Sequence, residues 1–114
     1  MIAAHVTEAD FQRAVMDLAH WHRWRVVHVR NVAVLQRGHT VYQVPYEGAP
    51  GLPDLVMARG GRVLLAELKT DRGRVTPDQQ AWLDAAGEHG RLWRPADWQT
   101  IQNELGRKVG DGDG

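Results

Sequence analysis

The chain has 114 residues, the length of a single domain with one core, and its hydrophobic content of 43% is ordinary for a globular protein. It contains no cysteine, which excludes a disulfide framework and a thiolate metal site. The 14 basic and 14 acidic residues cancel, so composition alone does not indicate a nucleic-acid-binding protein, and such a surface must come from local segregation of charge.

The first predicted element is a helix that runs from Glu8 to about Trp24. Thr7, followed three residues later by Asp10, resembles a capping box, and apolar residues recur after it at spacings of three and four, as in an amphipathic helix. Glu8 begins this apolar stripe. An acid at the start of a helix commonly interacts with the helix dipole, which is the ordinary interpretation of this glutamate.

The end of this helix carries the run HWHRWR, from His20 to Arg25. Two histidines that are two positions apart on a helix point to different sides, so His20 and His22 cannot bind one metal ion together. We interpret the run as an aromatic, partly solvated helix end.

A strand is predicted from Arg25 to Val34, where β-branched residues are dense. The segment from Gln36 to Thr40 is a predicted turn that carries Arg37, and residues 41–44 form a short extension. His28 and His39 are candidates for a phosphate contact, but the interpretation as ordinary surface or core histidines is favoured for both.

The most informative stretch runs from Gly51 to Lys69, GLPDLVMARGGRVLLAELK. Two apolar runs flank Gly60-Gly61, and a Gly-Gly pair between strand-like runs predicts a two-residue hairpin because both positions tolerate positive φ. Counting outward from this turn places Asp54 directly opposite Glu67. Lys69 falls on the same face as Glu67, since side chains alternate along a strand.

Two opposed carboxylates repel each other, so their pairing does not serve stability alone. Apolar residues occur on both faces of the hairpin, which predicts burial on both sides, and buried carboxylates need a partner or a metal ion. The alternative is that Asp54 ends a turn while Glu67 pairs with Lys69 or a nearby arginine. Oxygen ligands without cysteine suit Mg²⁺ or Mn²⁺.

The C-terminal half begins with a polar loop after Lys69, in which Arg72 and Arg74 are candidate phosphate partners. Thr76-Pro77-Asp78-Gln79 then predicts a helix start with a capping box that includes Gln79, and glycines close the helix at 87 and 90. A strand at 91–93 and a helix at 95–105 complete the predicted domain, residues 1–105. Residues 106–114 are predicted to form a flexible tail.

These motifs also carry a family resemblance. Pro53-Asp54 followed by Glu67-Leu68-Lys69 resembles the PD-(D/E)xK nuclease signature. The wider set of sequence segments resembles the VRR-NUC (virus-type replication-repair nuclease) family in its short stand-alone form, of phage or prophage type: GLPDLV, AELKT, GRVTPDQQAWL and LWRPADW. The resemblance spans roughly Glu8 to Leu105. It implies a restriction-endonuclease-like α/β fold, a mixed β-sheet flanked by helices, which agrees with the order of the predicted elements.

The resemblance also implies a set of site residues. Asp54, Glu67 and the backbone carbonyl of Leu68 would bind Mg²⁺ or Mn²⁺, and a glutamate of the first helix, here Glu8, would lie beside them. Lys69 would act in catalysis, and Gln79 aligns with a glutamine found near the metal site. The expected nucleic-acid contacts are those of Arg72, Arg74, Arg37 and Lys69.

We therefore expect a metal-dependent, structure-selective endodeoxyribonuclease. Stand-alone members of the family are similar to dimeric Holliday-junction resolvases, which implies a homodimer that cuts four-way junctions in DNA repair, with flap cleavage as the alternative. A non-catalytic DNA-binding module and a partner-binding role are the competing classes. Five tryptophans, too many for one small core, fit a protein interface.

No targeting or membrane segment is predicted. The chain has no apolar run near the ~20 residues of a membrane span, and its N-terminus lacks the basic start and long apolar core of a signal peptide. We expect a cytoplasmic protein of a bacterial or phage-infected cell, without membrane contact.

Overall fold

A computed structural model describes residues 6–29, 32–43 and 46–108. Within these ranges three α-helices and six β-strands follow one another in the order α1, β1, β2, β3, β4, β5, α2, β6 and α3. Within the described residues no helix is both long and apolar enough to cross a membrane. The elements are α1 Glu8–Trp21, β1 Arg25–His28, β2 Val32–Gln36, β3 His39–Gln43, β4 Leu55–Arg59, β5 Arg62–Leu68, α2 Pro77–Ala86, β6 Gly90–Trp93 and α3 Trp98–Gly106.

Four strands form a mixed sheet in the order β1-β4-β5-β6. The pairs β1–β4 and β4–β5 are antiparallel, whereas β5 and β6 are parallel because α2 makes the crossover between them. Strands β2 and β3 form a separate two-stranded sheet. The predicted fold class, a mixed β-sheet flanked by α-helices, is confirmed.

Strand pairing corrects one prediction. The β-branched segment expected as a single strand at 25–34 contains two strands, because β1 pairs with β4 while β2 pairs with β3 across the turn at Arg37-Gly38. Residues 30, 31, 44 and 45 lie outside the described residues. Strand propensity depends on local side chains, whereas the pairing partner is a non-local property that the pattern does not contain.

Local hydrogen bonds confirm both predicted helix starts. The Thr7 hydroxyl accepts from the Asp10 N–H at 3.1 Å at the start of α1. Thr76 and Gln79 form the predicted reciprocal capping box at the start of α2, with bonds of 2.9 and 3.2 Å. Such caps involve only neighbouring residues, so a short motif suffices to predict them.

The core lies on one face of the four-stranded sheet, under α1 and α3. Their buried residues pack against the side chains of β4 and β5 that point to this face. Burial of each large apolar side chain contributes about 1.5–3 kcal/mol. The core residues are Phe11, Val15, Ala19, Trp24, Leu55, Met57, Leu64, Ala66, Leu68, Trp93, Ile101 and Leu105.

The opposite face of the sheet is only half covered, so the prediction that the hairpin is buried on both sides is wrong. Val63 is 43% exposed on this face, and Val27 on the neighbouring strand is 61% exposed. Among the described elements, α2 packs here, against β5 and β6, and no residue of α2 is fully buried. One ten-residue helix is too small to cover a four-stranded sheet.

The tryptophans do not all fit inside the core, as expected, and an interface built on them stays a prediction. Trp24 and Trp93 belong to the core, and Trp98 is half-buried against it. Trp21, in contrast, is 81% exposed. Among the described residues, a single tryptophan is therefore left fully accessible at the surface.

The loop that leads into β4 is docked on α2. Trp82 Nε1 donates to the carbonyl of Ala49 at 3.3 Å, and the Tyr46 hydroxyl accepts from the Leu52 N–H at 3.3 Å. Pro53 is fully buried. The chain therefore enters the candidate site, at Asp54, from a fixed position.

We expect Gly51→Ala to destabilise the protein more than Gly48→Ala. Both glycines have positive φ, 88° and 118°, and a side chain in left-handed backbone costs about 1–2 kcal/mol. A Cβ at Gly51 would also lie 2.5 Å from the carbonyl carbon of Asp78, whereas nothing lies within 4 Å of one at Gly48. Chemical denaturation measures the loss of unfolding free energy in each variant. Equal losses would contradict the docking of this loop on α2.

Candidate active site

The β4–β5 hairpin has the predicted register. Arg59 lies opposite Arg62, and the pairing continues to Leu55 opposite Ala66, so the next step places Asp54 opposite Glu67. The turn is possible because Gly60 and Gly61 have φ values of 58° and 84°, which side chains rarely adopt. The glycine pair lies six residues from each carboxylate, so it does not touch the site but determines which residues meet there.

The Asp54 carboxylate is held by the backbone of the opposite strand. Its Oδ2 accepts a hydrogen bond from the Leu68 N–H at 2.8 Å. The Asp54 carbonyl accepts from the Val29 N–H at 2.7 Å, which continues the β1–β4 pairing by one step. Both bonds fix the aspartate between its two neighbouring strands.

Glu67 is the buried charged residue of the site, with 2% exposure. Its Oε2 lies 3.4 Å from Lys69 Nζ, while its Oε1 is buried and has no hydrogen-bond partner among the described residues. Burial, reinforced by the charge of Asp54 and opposed by Lys69, raises the pKa of Glu67 to about 7. A buried acceptor without a partner is costly, so this oxygen is suited to accept a cation or a proton.

Lys69 follows β5 directly, and its N–H donates to the Trp93 carbonyl at 3.0 Å. Its side chain is 15% exposed, and its Cβ and Cδ would both lie 3.4 Å from a Cβ placed at Gly73. These separations are ordinary van der Waals contacts, so the loop at Gly73 lies directly against the stem of the lysine, whose ammonium group points toward Glu67.

Sequence reasoning did not single out Arg94, which holds the loop beside Lys69 in place. Its Nη1 donates to the carbonyls of Thr70 and Gly73 at 2.6 and 2.7 Å. Asp71 Oδ1 in the same loop accepts from the Ala96 N–H at 3.2 Å. The motif LWRPADW contains Arg94, but no local signal in it predicts a contact with a loop about twenty residues earlier.

The remaining predicted site residues lie on four different elements. Glu8 is exposed in the first turn of α1, and Gln79 is half-buried, with its Oε1 engaged by the Thr76 N–H. Arg72 and Arg74 are exposed in the loop after Lys69, and Arg37 is exposed in the β2–β3 turn with φ 49°.

The structure thus brings Asp54, Glu67 and Lys69 together. Across residues 6–29, 32–43 and 46–108, no group of three or more His, Cys, Asp or Glu side chains is arranged to hold a metal ion. The acidic cluster therefore consists of two carboxylates, and the role of Glu8 stays a prediction.

The two carboxylates fit a hard divalent cation. Glu67 Oε1 has no partner, the pKa of Glu67 is raised by burial and by Asp54, and all available donors are oxygens. A cation would provide the missing partner and stabilise the ionised forms of both acids.

Comparison with known families decides the classification. The sequence model of the VRR-NUC domain matches residues 29–94, which is more than half of the chain. The chain belongs to the VRR-NUC family. It therefore carries a nuclease domain with a restriction-endonuclease-like fold. Comparison with curated proteins and with solved structures gave no match.

The VRR-NUC match covers part of the predicted site. It includes both carboxylates, Lys69, Gln79 and the arginines of the loop after Lys69. Glu8 and the C-terminal end of α1 lie outside the matched residues.

The raised pKa of Glu67 predicts a pH-dependent stability in metal-free protein. The folded state binds the Glu67 proton more tightly than the unfolded state, so this contribution is present below pH 4.5 and is lost as the pH rises through about 7. We expect the free energy of unfolding to fall by at most about 3 kcal/mol over this pH range. The Glu67→Gln variant should not show this pH-dependent fall. Denaturation in EDTA between about pH 5 and pH 8 measures it. Parallel pH profiles for the two proteins would contradict the prediction.

Proposed function

We propose that this VRR-NUC domain is a metal-dependent, structure-selective DNA endonuclease that hydrolyses phosphodiester bonds. The observation that carries the proposal is the buried Glu67, which has an unpartnered oxygen, lies opposite Asp54 and forms an ion pair with Lys69. A carboxylate pair next to a lysine at the end of a strand provides both a cation site and a positive group for the phosphate.

The cation would be Mg²⁺ or Mn²⁺, held by Asp54, Glu67 and the Leu68 backbone carbonyl, with Glu8 bound directly or through water. Such an ion would offset the negative charge that develops on the phosphate and lower the pKa of a bound water. The hydrogen bond from the Leu68 N–H keeps the Asp54 carboxylate in position for this role. Because burial raises the pKa of Glu67, this residue must lose its proton before it can bind a cation.

Lys69 would act on the phosphate. Its ammonium group is held next to Glu67 and would orient the attacking water or stabilise charge on the non-bridging oxygens. The supported loop after it would place Arg72 and Arg74 along the backbone of the DNA, and Arg37 would add a contact from the β2–β3 turn. Gln79, at the start of α2, would contact the site with the amide group that its cap leaves available.

Substitution of the acids tests this assignment. We expect Asp54→Asn and Glu67→Gln to abolish cleavage with the fold intact, and to raise the melting temperature in EDTA because the repulsion is removed. Lys69→Ala should retain metal binding and lose rate. Cleavage assays with Mg²⁺, Mn²⁺ or EDTA, and calorimetric titration with Mn²⁺, measure these effects. Full cleavage by either acid variant would disprove the site.

The same assay separates the competing classes of function. A non-catalytic DNA-binding module would bind DNA but cut none of the substrates with either metal. A partner-binding protein would show no DNA binding at low salt, where phosphate contacts are strongest. The raised pKa and unpartnered oxygen of Glu67 favour the enzyme, because neither is needed for binding alone.

The preferred substrate and the assembly form a second part of the proposal. Resolution of a four-way junction needs two incisions placed symmetrically, and a two-fold homodimer supplies two sites from one chain. We expect a homodimer that makes paired nicks in four-way junctions, with flap cleavage as the alternative. Light scattering measures the oligomeric mass, and cleavage of a panel of DNA substrates that includes four-way junctions and flaps measures the substrate preference. A monomer near 12.8 kDa that cuts flaps but not junctions would overturn it.

A further inference from the structure

The C-terminal end of α1 forms an exposed basic and aromatic surface that the proposed catalytic site does not use. We call it the basic corner and define it as His20, Trp21, Arg23 and Arg25. All four residues are exposed, and Trp21 is 81% accessible. Neither Arg23 nor Arg25 forms a salt bridge with another described residue. The nearest acid in sequence is the exposed Asp17, one helical turn before Trp21.

The backbone at the basic corner is strained. Arg23 N–H donates to the His20 carbonyl, and Trp24 N–H donates to the Ala19 carbonyl, both at 2.9 Å, which is the Schellman arrangement at a helix end. Arg23 occupies its left-handed position, with φ 66°, where glycine is the usual residue. An exposed arginine in a conformation that favours glycine contributes nothing evident to stability, so the strain points to a role in binding.

Arg25 links the basic corner to the face of the sheet that carries the carboxylates, whereas α1 itself packs on the opposite face. Glu67, Leu65 and Val63 alternate along β5 and share one face. On that face Val63 lies opposite Ala58, and Ala58 lies opposite Arg25. Arg25 therefore points to the same side of the sheet as Glu67.

An open cleft lies at the basic corner, and its lining does not include the two carboxylates or Lys69. It has a volume of about 590 Å³ and lies between the end of α1 and the neighbouring strands. His20, Arg23 and Arg25 form its basic side, while Val27, Val56 and Ala58 lie on the apolar side. This combination of cationic and apolar groups matches a nucleic-acid strand, which presents phosphates on one side and bases on the other.

The strand register gives the distance between the two regions. Four residues along β5 correspond to about 13 Å, and two strand spacings to about 10 Å, so Arg25 and Glu67 are about 16 Å apart. Phosphates of one stacked strand recur every ~3.4 Å along the axis, so this distance corresponds to about five nucleotides.

We propose that the basic corner binds an unpaired DNA strand about five nucleotides from the scissile phosphate, with Trp21 stacked on a base and Arg23 and Arg25 on phosphates. The inference rests on the proposed nuclease function and adds a second substrate contact. Stacking needs an unpaired base, so the basic corner selects substrates that have a single-stranded segment on this side of the cut. On a fully paired junction arm only the two arginines contribute.

Binding in EDTA, where no cleavage occurs, tests the proposal through fluorescence anisotropy. Three labelled DNAs are compared: a duplex with an unpaired overhang of about fifteen nucleotides, the same duplex with about two, and the fully paired duplex. Trp21→Ala should weaken binding of the long overhang about tenfold and leave the other two unchanged. Trp21→Phe should restore most of the affinity.

The arginines give two further readouts. Arg25→Gln should weaken binding and lower the slope of log affinity against log salt by about one unit. Arg23→Gly should weaken binding while raising the melting temperature by about 4 °C, because glycine relieves the left-handed conformation. Arg13→Gln is the matched control, since it removes one exposed charge from α1 outside the cleft and should change nothing.

The outcomes separate this proposal from the function on which it rests. If the wild type cuts DNA but the corner variants bind every DNA as the wild type does, the basic corner is not a DNA site and the nuclease assignment stands. If the variants alter the oligomer mass without altering DNA affinity, the surface is a contact between copies and the proposal fails. If the wild type neither binds nor cuts DNA, both proposals fail.

Discussion

The opposition of Asp54 and Glu67 on adjacent strands is the constraint on which the rest of the structure depends. Like charges in this position repel, and the burial of Glu67 increases the penalty. The arrangement persists because the hairpin is stabilised elsewhere. Its other face packs under α1 and α3, and the Gly60-Gly61 turn fixes its register. The free energy of folding thus holds together two groups whose mutual interaction is unfavourable.

The turn end of the hairpin also opposes like charges, and there an acid of α3, Glu104, pairs with one of the two arginines. Arg59 and Arg62 face each other and both lie over the Trp24 ring, at 4.9 and 5.6 Å. Glu104 accepts hydrogen bonds from Arg62 and Arg91, and these partners, Arg91 above all, hold its pKa below the ordinary value. The two ends differ in charge balance. Glu104 balances the charge of Arg62 at the turn end, although Arg59 Nε and Arg62 Nη1 are buried there without hydrogen-bond partners among the described residues. At the other end the two carboxylates share one lysine, and Glu67 Oε1 is buried without a hydrogen-bond partner among the described residues.

Features that depend on neighbouring residues could be predicted from the sequence. The hairpin register followed from counting outward from two glycines, and both helix caps followed from motifs four residues long. The pairing of β1 with β4, and of β2 with β3, could not be predicted, because strand propensity does not identify a partner. The contact of Arg94 with the loop after Lys69 was missed for the same reason. The half-covered sheet face was mispredicted because apolar residues on a strand do not reveal whether a helix is available to cover them.

The half-covered face also constrains how the domain can assemble. Val27 and Val63 expose apolar surface on the side of the sheet that carries Glu67, so this face is attractive both to a second copy and to DNA. A second copy that covered it would block the approach to the carboxylates and to the cleft beside the basic corner. Assembly and substrate binding therefore compete for the same surface. A homodimer that remains active must form through another part of the molecule and leave the carboxylate face of each protomer open.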